Sequence, residues 1–158
     1  MRKVQFYLLI IALLFLGFWT AKILSWQTFK TYTKNLQATE EDITQNYKEN
    51  LDKNPVTASK LVKDGVRFLK GGETDLAQVA LEQATKQDPK YRDAFVYLGN
   101  VYLQQNQNQK ALEALEKAKD LDPLHPYTWQ LLSVAYQRLG QEEKASEAAG
   151  KAKEFEKK

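Results

Sequence analysis

Residues 92–123 read RDAFVYLGNVYLQQNQNQKALEALEKAKDLDP, and two helices are written into them. Phe95, Leu98 and Tyr102 recur at helical spacing, which gathers them on one apolar face. Asn106-Gln107-Asn108 is a polar break. Ala111, Leu112, Leu115 and Ala118 rebuild an apolar face on a second helix. Asp122-Pro123 closes it, because the proline ring pushes the residue before it out of the helical region.

The pattern repeats outward at a period of 34. Pro55, Pro89 and Pro123 keep that spacing, each behind Asn54, Asp88 or Asp122. Ala77, Ala111 and Ala145 keep it, as do Ala84, Ala118 and Ala152. Leu61, Phe95 and Trp129 form a column of large residues, and Phe68, Tyr102 and Tyr136 another. Gly65 and Gly99 align, with Ser133 in the third place. Gly71-Gly72 and Gly140 mark the turns of the outer units, and Pro126 stands where the third unit starts, a position that tolerates its missing N–H. So many coincident columns mean an internal repeat, which outranks any local propensity.

These columns resemble the tetratricopeptide repeat family. Its pattern is met by Phe95, Leu98-Gly99, Tyr102, Ala111, Leu115 and Pro123 in the middle unit. The first unit offers Leu61, Gly65, Phe68, Ala77, Leu81 and Pro89, with Asp64 in place of Leu. The third offers Trp129, Leu132, Tyr136, Ala145 and Ala152, with Ser133 for Gly and Lys157 for Pro. The resemblance covers about residues 58–158. It implies an all-α fold: a three-repeat solenoid of helical hairpins, with units near 58–91, 92–125 and 126–158. Small residues let helices approach closely, and large ones fill the gaps between units. One unit cannot bury its face alone, and three is about the minimum for stability.

The ends therefore matter. Residues 27–57 carry Phe29, Tyr32, Leu36, Ile43, Tyr47 and Leu51 as a loose helical stripe. Ile43, Tyr47 and Pro55 fall in register with Ala77, Leu81 and Pro89. This segment reads as a degenerate capping half-repeat or as a helical linker. At the far end Ala148, Ala149, Gly150 and Ala152 are small, and the expectation is an open last surface available to a partner or to a second copy.

Residues 1–26 are a separate region. Val4 to Ala21 is an uncharged run of eighteen residues, VQFYLLIIALLFLGFWTA. As a helix it spans roughly 27 Å, enough for a thin or tilted membrane crossing. Trp19 and Trp26 suit the distal interface, and Lys22 can snorkel to it. The run exceeds the apolar core of about 7–15 residues usual for a cleaved signal peptide, and no small-x-small site follows it. The expectation is a membrane anchor over residues 4–26. Arg2 and Lys3 precede it, and Lys22, Lys30 and Lys34 follow, so the positive charges nearly balance across it. A short cationic head favours N-in, C-out, with the repeats on the extracytoplasmic side. A cytoplasm-facing array is the alternative.

Composition removes other classes. There is no Cys and one His, so no disulfide scaffold, thiolate zinc site, Cys nucleophile or two-His metal site is available. Beyond residue 26 the remaining 20 basic and 20 acidic side chains cancel, which is not the charge footprint of a nucleic-acid binder. No G-x-S-x-G, P-loop or H-E-x-x-H is present. His125 reads as a turn residue, and Glu40-Glu41-Asp42 as a helix start that favours acids. The expectation is a binding protein without catalytic residues, metal or cofactor.

The resemblance implies a groove lined by the first helix of each unit. Its lining positions fall on Val62, Lys63, Val66 and Lys70, on Tyr97, Asn100 and Gln104, and on Tyr127, Gln130, Val134, Gln137 and Arg138. Chaperone-binding members grip a terminal carboxylate with a clamp of Lys, Asn and Arg. Asn100 matches one clamp position, but Val62, Val66, Gln130 and Val134 replace the others. A mixed apolar and amide groove suits an extended peptide or a helix with apolar anchors. The expected function is that of a membrane-anchored adaptor, holding a segment of a membrane or envelope protein and aiding assembly of a complex. It resembles small single-span repeat proteins of translocon-associated, pilus-related and photosystem-assembly types. The alternatives are a structural subunit using its C-terminal repeat end, and a cytosol-facing docking receptor.

Overall fold

The computed structural model describes residues 30, 31, 34 and 39–157. The chain divides into two compact units, residues 1–45 and 46–158. In the first, residues 39–45 are helical and Ile43 is half exposed. The segment expected to anchor in a membrane, residues 4–26, lies outside the described residues. Among those described, no helix is long and apolar enough to cross a membrane.

The second unit is all helical. Residues 46–53 form α1, followed by α2 (Ala58–Gly71), α3 (Thr74–Gln87), α4 (Arg92–Gln104), α5 (Asn108–Leu121), α6 (Pro126–Arg138) and α7 (Glu142–Phe155). The last six pair as antiparallel hairpins, α2 with α3, α4 with α5 and α6 with α7. Each hairpin turns through one left-handed residue, and these are Gly72, Asn106 and Gly140, at the 34-residue period. The turn is closed in the same way each time: the N–H of Glu73, Gln107 or Gln141 reaches back to the carbonyl of Phe68, Tyr102 or Tyr136 at 2.8–2.9 Å. Asp88 and Asp122, in extended backbone, end α3 and α5 ahead of their prolines.

The glycine column brings the helices of a hairpin together. A Cβ on Gly99 would stand 2.5 Å from Leu115 Cγ, and one on Gly65 would stand 2.6 Å from Leu81 Cγ. Leu81 and Leu115 fill the space that the missing methyl leaves, and both are fully buried. In the third hairpin Ser133 uses its hydroxyl at that place, donating to the Ala145 carbonyl at 2.9 Å.

Successive hairpins are joined by a second repeated contact. The Tyr102 hydroxyl donates to Glu82 on α3 at 2.9 Å, and the Tyr136 hydroxyl donates to Glu116 on α5. Burial pushes both phenols up, Tyr136 to about 12, with the neighbouring carboxylates adding to the shift. Lys110 and Lys144 lie over the two rings, each 5.6 Å from the centroid. The first hairpin has Phe68 in this column, and there an aromatic contact takes over: the Tyr47 ring of α1 meets Phe68 edge-on at 5.3 Å. Leu51 of α1 is buried in the same core.

Helix contacts fix the direction of bending. The backbones of α2 and α4, and of α4 and α6, approach within 8 Å between Cα atoms, whereas those of α3 and α5, and of α5 and α7, do not. The first helices of the hairpins therefore form the inner, tighter layer. At the other end the structure corrects an expectation: Ala148 and Ala152 are buried, so they are not part of an open surface, and only Gly150 of that group is exposed.

Two glycine substitutions separate close approach from helix propensity. Gly99→Ala forces Leu115 to move and should cost about 1–3 kcal/mol. Gly150→Ala, where a Cβ meets nothing within 4 Å, should stabilise α7 by about 0.5–1 kcal/mol. Urea denaturation of the two variants should show midpoints shifted in opposite directions.

Candidate functional site

The inner layer places α2, α4 and α6 side by side, and the groove is what their exposed sides present. On α2, Lys63 and Lys70 are exposed, with half-buried Val66 between them. On α4, Tyr97 and Asn100 are half-buried and Gln104 is exposed. On α6, Tyr127 is half-buried, Val134 is 36% exposed, and Gln130, Gln137 and Arg138 are exposed. Val62 is different. At 5% exposure it belongs to the core, so it supports the groove from beneath and does not line it. Leu103 and Val96, also at family groove positions, are core residues as well.

Among the expected lining residues, one bridge joins α4 to α6. The Asn100 side-chain amide donates to the Tyr127 hydroxyl at 3.0 Å. The Tyr97 and Tyr127 rings stand 6.5 Å apart, tilted by 53°. Burial pushes the Tyr127 phenol up, and the neighbouring Tyr97 adds to this against the Asn100 hydrogen bond, so it keeps its proton at neutral pH. Among the described residues the Asn100 carbonyl oxygen and the Tyr127 hydroxyl hydrogen meet no protein partner, so the pair presents one acceptor and one donor. A peptide group offers the complementary N–H and C=O.

Two predicted lining residues are held by the protein itself. Arg138 donates through Nη1 to the Leu103 carbonyl at 2.5 Å, an oxygen at the C-terminal end of α4 that also accepts the Asn106 N–H at 3.1 Å. Gln130 donates to Glu156, just past α7. Both mark the margin of the groove.

His125 is more than a turn residue, and reading the sequence for catalysis missed this. It caps α6: its Nδ1 accepts the Thr128 backbone N–H at 3.3 Å and lies 2.8 Å from Thr128 Oγ1. Thr128 has 0% exposure, so this ring nitrogen serves a buried hydroxyl. The imidazole also meets the Tyr127 ring edge-on at 6.5 Å. Arg92 stands nearby, bound to Asp93 and, at 2.6 Å, to Asp122. The legible signal was His immediately before Pro126, the slot of a helix cap followed by proline.

A stack of two-helix hairpins with its inner face open defines a helical repeat protein. This chain carries tetratricopeptide repeats: that family matches residues 64–126 and again residues 126–158. Solved structures agree. A MamA protein is 27% identical over 75% of this chain and 64% of its own, with a TM-score of 0.62. This chain thus spans just under two thirds of that relative. MamA from residue 41 to its end, from Desulfovibrio magneticus RS-1, is 26% identical over 78% of this chain and 70% of its own, also at 0.62. The first TPR of Spaghetti (RPAP3), bound to the HSP90 peptide SRMEEVD, is 19% identical over 63% of this chain and 79% of its own, again at 0.62, a likeness of fold alone. A comparison with curated proteins gave no match.

The cap gives a pH dependence. Burial pushes the His125 imidazole down, and the Arg92 charge pushes it further, against Asp122 and Asp93. The folded state thus favours neutral His125, and its contribution is full above the ordinary value of 6.5 and is lost as pH falls below it. The chain has no other His. Wild-type Tm should fall by a few degrees between pH 7 and pH 5. His125→Asn, which caps without titrating, should flatten that fall. An equal fall in both would place the pH dependence elsewhere.

Proposed function

We propose that this chain is a protein-interaction adaptor whose inner groove holds an extended segment of a partner protein. The observation that carries the reading is the Asn100–Tyr127 bridge, with one acceptor and one donor left without a protein partner among the described residues. Tyr97 stands 6.5 Å from the Tyr127 ring, and Val66 and Val134, half-buried and exposed on α2 and α6, add apolar surface for the partner's side chains. A backbone gripped by hydrogen bonds, with pockets for side chains, is a recurring mode of peptide recognition. The first TPR of Spaghetti (RPAP3), of the same fold, is bound to a peptide. The groove here is suited to an internal segment, because Val66 and Val134 stand where a carboxylate clamp would need polar groups.

In this reading residues 4–26 anchor the chain in a membrane, with the repeats on the extracytoplasmic side. Support comes from the uncharged run and its flanking charges. Confinement to a membrane raises the effective concentration of a membrane or envelope partner, so a weak groove suffices to aid assembly of a complex. The rival reading, a structural subunit joined through its C-terminal end, would have to use residues other than Ala148 and Ala152, which are buried.

Tyr127→Phe keeps the ring and removes the hydroxyl. It should weaken capture of the native partner by about fivefold, the usual worth of one hydrogen bond. Asn100→Ala should cost a similar factor, while Lys117→Ala, on α5 in the outer layer, should leave capture unchanged. Quantitative co-purification of the detergent-solubilised chain checks this; equal losses in all three would overturn the groove reading. For orientation, Gln109→Cys puts a single thiol on an exposed residue of α5. A membrane-impermeant maleimide should label it in intact cells once any outer envelope is opened. Labelling only after lysis would place the repeats in the cytoplasm.

A further inference from the structure

The charge of the repeat array is unevenly spread. Lys60, Lys63, Arg67 and Lys70 against Asp64 alone give α2 a net charge of +3, while α3 to α7 each lie within one unit of neutrality. The four cations are spaced three, four and three residues apart, which on a helix makes one continuous stripe. All four are exposed.

Asp64 compensates only part of the stripe. It holds Lys60 at 3.2 Å and Arg67 at 3.4 Å. Lys63 and Lys70 have no acidic partner among the described residues. Of the four, these are the two at groove positions, on either side of Val66. They lie seven residues apart, or about 10 Å along the helix axis.

We infer that the segment held in the groove carries two acidic residues three positions apart, set against Lys63 and Lys70, with an apolar side chain following toward Tyr97 and Tyr127. The inference rests on the groove reading above and adds the partner's chemistry. In a polyproline-II-like strand every third residue faces the same way, at about 9 Å spacing, which matches the gap between the two lysines. A run of extended chain reaches cations on an inner, concave layer, whereas a flat lipid surface does not. The chemistry is that of side-chain carboxylates.

The test uses the full chain in neutral detergent and fluorescence anisotropy with labelled peptides of about twelve residues. One peptide carries Glu-x-x-Glu followed by Leu and Phe; the others replace both Glu by Gln, bring them together, or replace them by Lys. The Glu-x-x-Glu peptide should bind at least tenfold more tightly than the Gln version, and more weakly as salt rises. Lys63→Glu with Lys70→Glu should lose that preference and gain the Lys-x-x-Lys peptide. Equal binding of the Glu and Gln peptides, or binding of none, would overturn the inference. If Tyr127→Ala still abolishes binding while the double charge reversal does not, the groove stands and the acidic partner falls. If Tyr127→Ala leaves peptide binding unchanged, the groove reading falls too. Phosphatidylglycerol vesicles are the control. Capture of the chain by vesicles, lost on the same charge reversal, with no Glu-peptide preference, would assign the stripe to lipid and overturn the inference.

Discussion

Everything in the repeat array depends on how closely two helices can lie within a hairpin. At Gly65 and Gly99 the backbone comes so near the facing leucine that a methyl group would overlap it. That distance lets Leu81 and Leu115 become fully buried and makes each hairpin a thin, dense plate. Where the third hairpin has Ser133, the extra atoms are accommodated by a hydrogen bond to the Ala145 carbonyl. The plates then stack, and the stacking sets the groove.

The stacking is a matter of few contacts repeated. Tyr102 on Glu82 and Tyr136 on Glu116 fix one hairpin on the next through the same pair of positions. Burial raises the Glu116 carboxyl, but hydrogen bonds from Lys119 and Tyr136 outweigh this and hold it below its ordinary value, so the pair stays charge-assisted at neutral pH. Because, of like helices in successive hairpins, the first ones bring their backbones closest, the stack bends toward them. Asn100 and Tyr127 can then meet across two hairpins, while Lys63, Gln104 and Gln137 on the inner helices stay exposed.

Much of this was legible in the sequence because the constraint is periodic. The glycine, alanine and aromatic columns placed the hairpins, their turns and the inner helices. The groove was legible by position but not by burial. Val62 occupies a lining position and yet is buried, because neighbouring helices cover a residue in ways that spacing along one helix does not encode. Ala148 and Ala152 misled in the opposite sense. Small size suggested a bare surface, but a small residue is also what close packing against α6 requires. The caps and bridges made by His125, Arg138 and Gln130 join residues far apart in sequence or depend on a side chain turning back on the backbone, and no period reports them.

The central claim is that the inner face carries the partner. Site-specific photo-crosslinking from the full chain in the cells that make it tests it most directly, with the crosslinker placed at Val134 on α6 or at exposed Glu113 on α5. The account predicts one discrete adduct from Val134, lost when Asn100 and Tyr127 are both changed to alanine, and none from Glu113. An adduct of the same partner from Glu113 but not Val134, or one from Val134 that survives the double change, would contradict it.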